Sequence, residues 1–211
     1  MCGFAGVVNL NNLDRNIYES KMIKAKDLLR SRGPDWNGSW ISENCYFIHT
    51  RLKIIDKNDN SNQPMRKKNL VLCFNGEIYN FKFLRDKLIG LGHKFVTNGD
   101  SEVLLTAWLE WGTSMLDKLD GMFSFIIWDN DKKTLFIARD PFGKKPLVYS
   151  FNKNIFAFAS DLKALSVITD CGEINHNAVE SLFRFRFIYE PMTIYKKAKK
   201  LVAGHFACFD R

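Results

Sequence analysis

Nowhere in the 211 residues do about 18 uncharged apolar side chains follow one another, the length a membrane-spanning helix needs. The N-terminus also lacks a basic segment leading into a long apolar run, so no secretory signal is read there. Both absences point to the cytoplasm. Cysteine is sparse and odd in number: Cys2, Cys45, Cys73, Cys171 and Cys208 are widely spaced and form no C-x-x-C pair. That spacing argues against a disulfide framework and against a structural zinc site. The histidines (His49, His93, His176, His205) show no ligand spacing either, and no metal is expected. A Walker A or related glycine-rich phosphate loop is missing throughout.

What is present is apolar mass and positive charge. A hydrophobic content of 46%, with 18 Phe and 5 Trp, suffices for one well-packed domain with a short appendage. The net charge of +8 invites a nucleic-acid reading. Yet the basic residues are scattered, apart from Arg66-Lys67-Lys68 and the lysines between 196 and 200, and no aromatic stacking motif accompanies them. A solvated basic surface is the expectation, with neither nucleic acid nor membrane as partner.

Residue 2 carries the first chemical signal. Cytosolic processing removes an initiator methionine ahead of a small side chain, and Cys2 qualifies. Removal would leave a thiol and a free α-amine on one residue, a nucleophile with its own base, since the two groups titrate near ~8.5 and ~8. Gly3, Ala5 and Gly6 permit close approach, and the apolar run to Leu10 reads as a buried strand. Taken alone, Cys2 is equally an ordinary small residue near a terminus.

Further along, residues 17–32 carry a helical stripe that Gly33-Pro34 ends. Residues 32–38 are rich in turn-formers and read as a loop, either a connection or a cover over a site. A hairpin follows, with a turn near Glu43-Asn44, leading into an apolar strand that ends at Arg51 and continues as Leu52, Ile54 and a charged exit. Arg51 could be a surface residue or could present its guanidinium fork to a carboxylate. Residues 57–69 read as a loop. Leu70–Phe74 reads as a buried strand that breaks at Asn75-Gly76 and enters a helix. The break would leave an amide side chain and a glycine N–H at the sheet edge, as an oxyanion hole needs, although a plain turn explains the pair as well. Asp100 reads as the N-cap of a second helix, or as a carboxylate for a ligand ammonium. Strands over 122–128, 135–139, 147–151 and 155–160 and helices over 162–168 and 178–186 complete an α+β order.

Together these stretches resemble the glutaminase domain of asparagine synthetase, a class II glutamine amidotransferase of the N-terminal-nucleophile hydrolase superfamily. The resemblance is carried by Cys2-Gly3-x-x-Gly6, Arg32-Gly33-Pro34-Asp35-x-x-Gly38 and His49-x-Arg51-Leu52-x-Ile54-Ile55-Asp56. It continues through Gln63-Pro64, Phe74-Asn75-Gly76-Glu77-Ile78-Tyr79-Asn80 and Asp100-Ser101-Glu102-Val103. Leu119-Asp120-Gly121-Met122-Phe123 and the run Ala138 to Leu147 follow in the same order. Phe4, Val148 and Asp161 depart from the pattern, without removing a group the chemistry needs.

The resemblance implies a four-layer αββα sandwich of two antiparallel sheets. It implies a glutaminase domain over 1–187, with 188–211 a linker and the start of a synthetase domain that the chain does not complete. It makes Cys2, Asn75 and Gly76 catalytic, and assigns glutamine binding to Arg51, Leu52, Ile54, Ile55, Asn75, Gly76, Glu77 and Asp100. No cofactor is expected in this domain; ATP and Mg belong to the absent one, where ammonia meets an aspartyl-adenylate. L-glutamine and that synthetase domain are the expected partners, and a homodimer is left open. Two alternatives stand beside it: a glutaminase domain serving a sugar, purine-precursor or cell-surface-polysaccharide amidotransferase, and a non-catalytic glutamine-binding domain on the same fold.

Overall fold

The computed structural model describes residues 1–210. Its first strand, β1 (Gly3–Asn9), is buried along nearly its whole length. A strand covered on both faces loses the polar alternation of an edge, which is why GFAGVVN reads as a continuous apolar run. β1 pairs antiparallel with β3 (Cys45–Arg51) on one side and β9 (Ile155–Ala159) on the other. With β2 (Trp36–Ile41), β8 (Val148–Asn152) and β10 (Lys199–Lys200) they form a sheet ordered β10-β8-β9-β1-β3-β2. The second sheet runs β11-β7-β6-β5-β4. Its members are β4 (Met65–Lys67), β5 (Leu70–Ile78), β6 (Gly121–Asp129), β7 (Thr134–Arg139) and β11 (Phe206–Phe209).

Side-chain alternation sorts these strands into three apolar layers. Phe4, Val8 and Phe47 of the first sheet meet Val71, Cys73, Ile126 and Trp128 of the second in the central core. Ala5, Val7 and Ile48 face the other way, onto Met22 and Leu29 of α1 (Arg15–Leu29) and Leu165 of α4 (Leu162–Thr169). Leu72, Phe74 and Phe125 pack on Leu84 and Leu88 of α2 (Phe81–Gly90) and on Val103 and Leu104 of α3 (Asp100–Trp111). The result is the expected four-layer αββα sandwich. A fifth helix, α5 (His176–Phe185), precedes the C-terminal strands.

Several boundaries differ from the sequence reading. β5 does not break at Asn75-Gly76 but pairs with β6 through Ile78↔Gly121, and the helix begins only at Phe81. The long ladder overrides the local turn propensity, and Gly76 fits because any Cβ there would lie 2.2 Å from Met122 O. Residues 36–38, read as loop, belong to β2, and residues 57–69 hold a 3-10 turn (Asp59–Ser61) and β4. β3 stops at Arg51, so Leu52, Ile54 and Ile55 lie on a loop rather than on the strand. The cap of α3 is Gly99, and Asp100 is its first helical residue. The 188–211 stretch, expected to be a linker, instead contributes an edge strand to each sheet through β10 and β11. Arg139 fastens it, donating to Leu201 O and Glu190 Oε1 (both 2.6 Å).

Gly33 shows how tightly the site end is assembled. A Cβ there would lie 2.3 Å from the backbone carbonyl of Thr50, so the chain after α1 lies directly on β3. Gly33→Ala is expected to cost about 2–3 kcal/mol. Gly90→Ala, in α2 with nothing within 4 Å, should stabilise by up to about 1 kcal/mol. Paired thermal melts check both signs.

Candidate active site

The C-terminal ends of β3 and β5, the N-terminal end of α3 and the chain's first residues meet at one end of the sandwich. A cavity there is lined by Cys2, Arg51, Leu52, Ile54, Ile55, Asn75, Gly76, Glu77 and Asp100. All nine residues singled out from the sequence thus reach one space. Met1, Asp56, Gln63 and Lys145 join them.

Cys2 enters this cavity from the start of β1. Its Sγ accepts from Leu52 N (3.4 Å), and its carbonyl oxygen receives Arg32 Nε (3.1 Å). Oriented to satisfy both neighbours, the Asn75 amide donates Nδ2–H to the same carbonyl (3.1 Å) and accepts from Arg32 Nη2 (3.3 Å). The second Nδ2–H of Asn75 has no partner among the described residues. Burial pushes the Cys2 thiol up, while Leu52 N–H, the chain's terminal charge and Arg51 pull it back less strongly. A raised thiol needs a base to become a nucleophile. While Met1 is attached, the nitrogen of Cys2 is a peptide nitrogen and cannot serve.

The direction of the Gly76 N–H follows from strand alternation. β4 ends opposite Leu72, so beyond it the even-numbered N–H groups of β5 lose their sheet neighbour. Gln63 Oε1 takes Phe74 N (2.7 Å), and Asp100 Oδ2 takes Ile78 N (3.1 Å). Gly76, between them, points its N–H the same way into the cavity. Its cross-strand partner Phe123 turns its own backbone to Asp140, with Asp140 N donating to Phe123 O (2.8 Å). Gly76 N–H and the second Asn75 Nδ2–H are therefore donors left over at the cavity that Cys2 also lines.

Charge is divided across the cavity. Arg51 is 5% exposed and spends three of its five N–H groups on its own loop: Asn58 O (2.9 Å), Asn62 Oδ1 (2.8 Å) and Asp56 O. Nε–H and one Nη2–H are left, a fork suited to a carboxylate. Asp100 lines the same cavity, with burial and the neighbouring Glu77 raising its carboxyl from 3.8 to about 6, against the pull of Ile78 N–H. Asp56 pins the two walls together, accepting from Asn58 N (2.9 Å), Ser61 Oγ (2.7 Å) and Asn98 N (2.9 Å). His49, wholly buried, is lowered to about 4 by desolvation and stays neutral, donating Nε2–H to Phe74 O (3.1 Å). It thus holds the residue just before Asn75.

Arg32, Gln63 and Lys145 were not among the residues singled out for roles. Arg32 and Lys145 stand within motifs that marked the loops, but their nearness to Cys2 arises from sheet packing and leaves no spacing signal. Among the described residues, no group of three or more His, Cys, Asp or Glu side chains is placed to hold a metal ion, and no helix is long and apolar enough to cross a membrane.

The sandwich is shared with the glutamine phosphoribosylpyrophosphate amidotransferase of Bacillus subtilis, at a TM-score of 0.58 and 19% identity over 79% of this chain and 43% of that one. Such a likeness shows the fold, two stacked antiparallel sheets between helices. Residues 1–211 match the glutamine amidotransferase domain, and the chain belongs to that family. It is 38% identical over 207 residues to asparagine synthetase (glutamine-hydrolysing) 1 of Bacillus subtilis, covering 97% of this chain and 33% of that protein. It is 39% identical over 175 residues to asparagine synthetase (glutamine-hydrolysing) 2 of Arabidopsis thaliana, covering 81% and 29%. The chain spans about a third of the length of these relatives.

Asp100 yields a test of the electrostatics. Its raised carboxyl disfavours the ionised form in the fold, a cost absent below about pH 4 and complete above about pH 6, on the order of 3 kcal/mol. Asp100→Asn should therefore match wild-type stability near pH 4 and exceed it near pH 8, as seen in denaturant melts at the two pH values.

Proposed function

We propose that this domain hydrolyses L-glutamine to glutamate and ammonia, with Cys2 as nucleophile once Met1 has been removed. The observation that carries the reading is the convergence on one cavity of a thiol, two anion-directed N–H groups, a free guanidinium fork and a buried carboxylate. Glutamine is a zwitterion whose two charged ends and amide carbonyl call for that set.

Arg51 would take the α-carboxylate through Nε and Nη2. Asp100 and Glu77 would hold the α-ammonium, and Leu52, Ile54 and Ile55 would wall the side chain. The Cys2 α-amine accepts the thiol proton, and the thiolate adds to the amide carbon Cδ. Negative charge forms on the carbonyl oxygen, against Gly76 N–H and Asn75 Nδ2–H. When the tetrahedral adduct collapses, the C–N bond breaks and the α-ammonium returns its proton to the leaving nitrogen, releasing ammonia. Water then attacks the γ-glutamyl thioester, losing a proton to the amine. Glutamate departs as the thiol is restored. These steps use side chains and backbone only, and no cofactor enters them.

The ammonia would serve ATP-dependent asparagine synthesis from aspartate in a synthetase domain outside this chain, where ATP and Mg would bind, in the cytoplasm. Support for this acceptor over a sugar or purine precursor is the identity of 38% and 39% with glutamine-hydrolysing asparagine synthetases. The likeness to the phosphoribosylpyrophosphate enzyme is one of fold, at 19%.

In protein shown by mass to lack Met1, glutamate release from glutamine is expected, and Cys2→Ala should abolish it. Asn75→Ala should lower kcat by roughly 100-fold or more, the worth of one oxyanion donor at about 3 kcal/mol, with less effect on KM. Arg51→Lys should act chiefly on KM. Turnover that survives Cys2→Ala would overturn the reading.

A further inference from the structure

Neither the mechanism nor a structural bridge of the kind Asp56 makes accounts for the Lys145 ammonium in the cavity. Lys145 is 6% exposed and lines the same space as Cys2. Its backbone is locked on both sides: Lys145 N donates to Asp140 Oδ2 (3.0 Å), and Arg139 Nε donates to Lys145 O (2.8 Å). The recorded partner of its ammonium is Met1 Sδ, at 3.3 Å. An ammonium has three N–H donors and a thioether is a weak acceptor, so this nearly buried cation is poorly compensated. Asp140, the nearby carboxylate, is already committed to the backbone N–H groups of Phe123, Phe142, Lys144 and Lys145. Buried groups left short of partners at such a cost call for a reason.

Met1, the partner of this ammonium among the described residues, is the residue whose loss creates the α-amine. With Met1 gone, the ammonium is left facing the new N-terminus across the space the methionine occupied. We propose that Lys145 is a positioning residue for the nucleophile: its positive charge, held beside residue 2, opposes protonation of the Cys2 α-amine and favours the thiolate. This inference rests on the reading of Cys2 as a nucleophile with a free amine.

The charges around Cys2 come from every neighbouring element. Arg32, after α1, is bonded to the Cys2 carbonyl, and Arg51 at the end of β3 lines the cavity; both act in the same direction as Lys145. Asp161, before α4, is felt by Arg32. Glu77 and Asp100 oppose them, but both face the position of the substrate ammonium, which neutralises them when glutamine is bound. Glu77 and Asp140 also sustain the charge on Lys145 against burial and Arg32, which lower it. A like charge several ångström away in a partly desolvated site moves an amine by about one pH unit. An α-amine near ~8 is about one-tenth free base at pH 7, and lowered to ~7 it is half free. Lys145 therefore contributes roughly fivefold at pH 7 and little near pH 9.

The test uses protein lacking Met1, as wild type, Lys145→Met and Lys145→Arg. Methionine keeps the length and apolar stem of lysine, and arginine keeps the charge. Two profiles are recorded from about pH 6 to about pH 9: kcat/KM for glutamine, and the rate of Cys2 alkylation by iodoacetamide, read by peptide mass spectrometry. Lys145→Met should move the acid limb of both profiles up by about one pH unit, with a roughly fivefold loss at pH 7 that closes near pH 9. Lys145→Arg should keep the wild-type limb. A loss uniform in pH, or limbs that do not move, would show a merely structural lysine and overturn the proposal. If wild type alkylates with the predicted dependence on Lys145 but releases no glutamate, the glutaminase reading fails while the electrostatic role stands. If wild type turns over and neither limb moves, the role of Lys145 fails alone.

Discussion

Arg32 and Asn75 meet on the carbonyl oxygen of Cys2, and through that contact the two sheets are joined at the residue that bears the thiol. Arg32 arrives from the loop after α1, where Gly33 lies against Thr50 with no room for a side chain. Asn75 arrives from β5, whose preceding residue is gripped by Gln63 on its N–H and by His49 on its carbonyl. Three segments far apart in the chain therefore have to agree in position before Cys2 and Gly76 line one cavity. A nucleophile on a frayed terminus would have no such register. Here the second residue directly precedes a strand flanked on both sides by other strands, so what is the most mobile part of an ordinary chain is held in register.

The site is electrostatically expensive when empty. Asp100 is a buried carboxylate with its titration raised, Lys145 a buried ammonium with a thioether for company, and Arg51 keeps two donors unspent. Each would be better solvated elsewhere. Such groups persist where a ligand completes them, and a zwitterionic amide completes carboxylate and guanidinium together. Glu102 shows the contrasting, structural case. Burial pushes its carboxyl up, but hydrogen bonds from Thr97, Lys67 and Val96 outweigh it and leave the group below its ordinary value, with nothing over for a ligand.

How far the amino-acid sequence foretold this depended on the range of the interactions. β1, β3 and the four strands from β6 to β9 were legible because burial imposes a local pattern of apolar residues and turn-formers, although their division between the two sheets, where a single meander was read, was not. Cys2, Arg51, Asn75 and Asp100 were legible as chemical types at element ends. The continuation of β5 through Asn75-Gly76 was not, because its cause lies in β6, some forty residues on, where Gly121 lets the strands approach. Nor were β10 and β11 visible: short edge strands rich in lysine or interrupted by small residues carry no periodicity of their own and depend on Arg139 to hold them. Arg32 and Lys145 escaped for the same reason, as ordinary basic residues in polar loops until the sheets stack.

The central claim is that a free amine on Cys2, set in this cavity, makes its sulfur reactive toward a glutamine-shaped electrophile. Intact-mass analysis of two preparations, with and without Met1, after exposure to a diazo-ketone analogue of glutamine tests it most directly. The account predicts one adduct, on Cys2, in the protein lacking Met1 and none in the protein retaining it. Equal labelling of both preparations, or labelling at Cys45, Cys73, Cys171 or Cys208 instead, would contradict it.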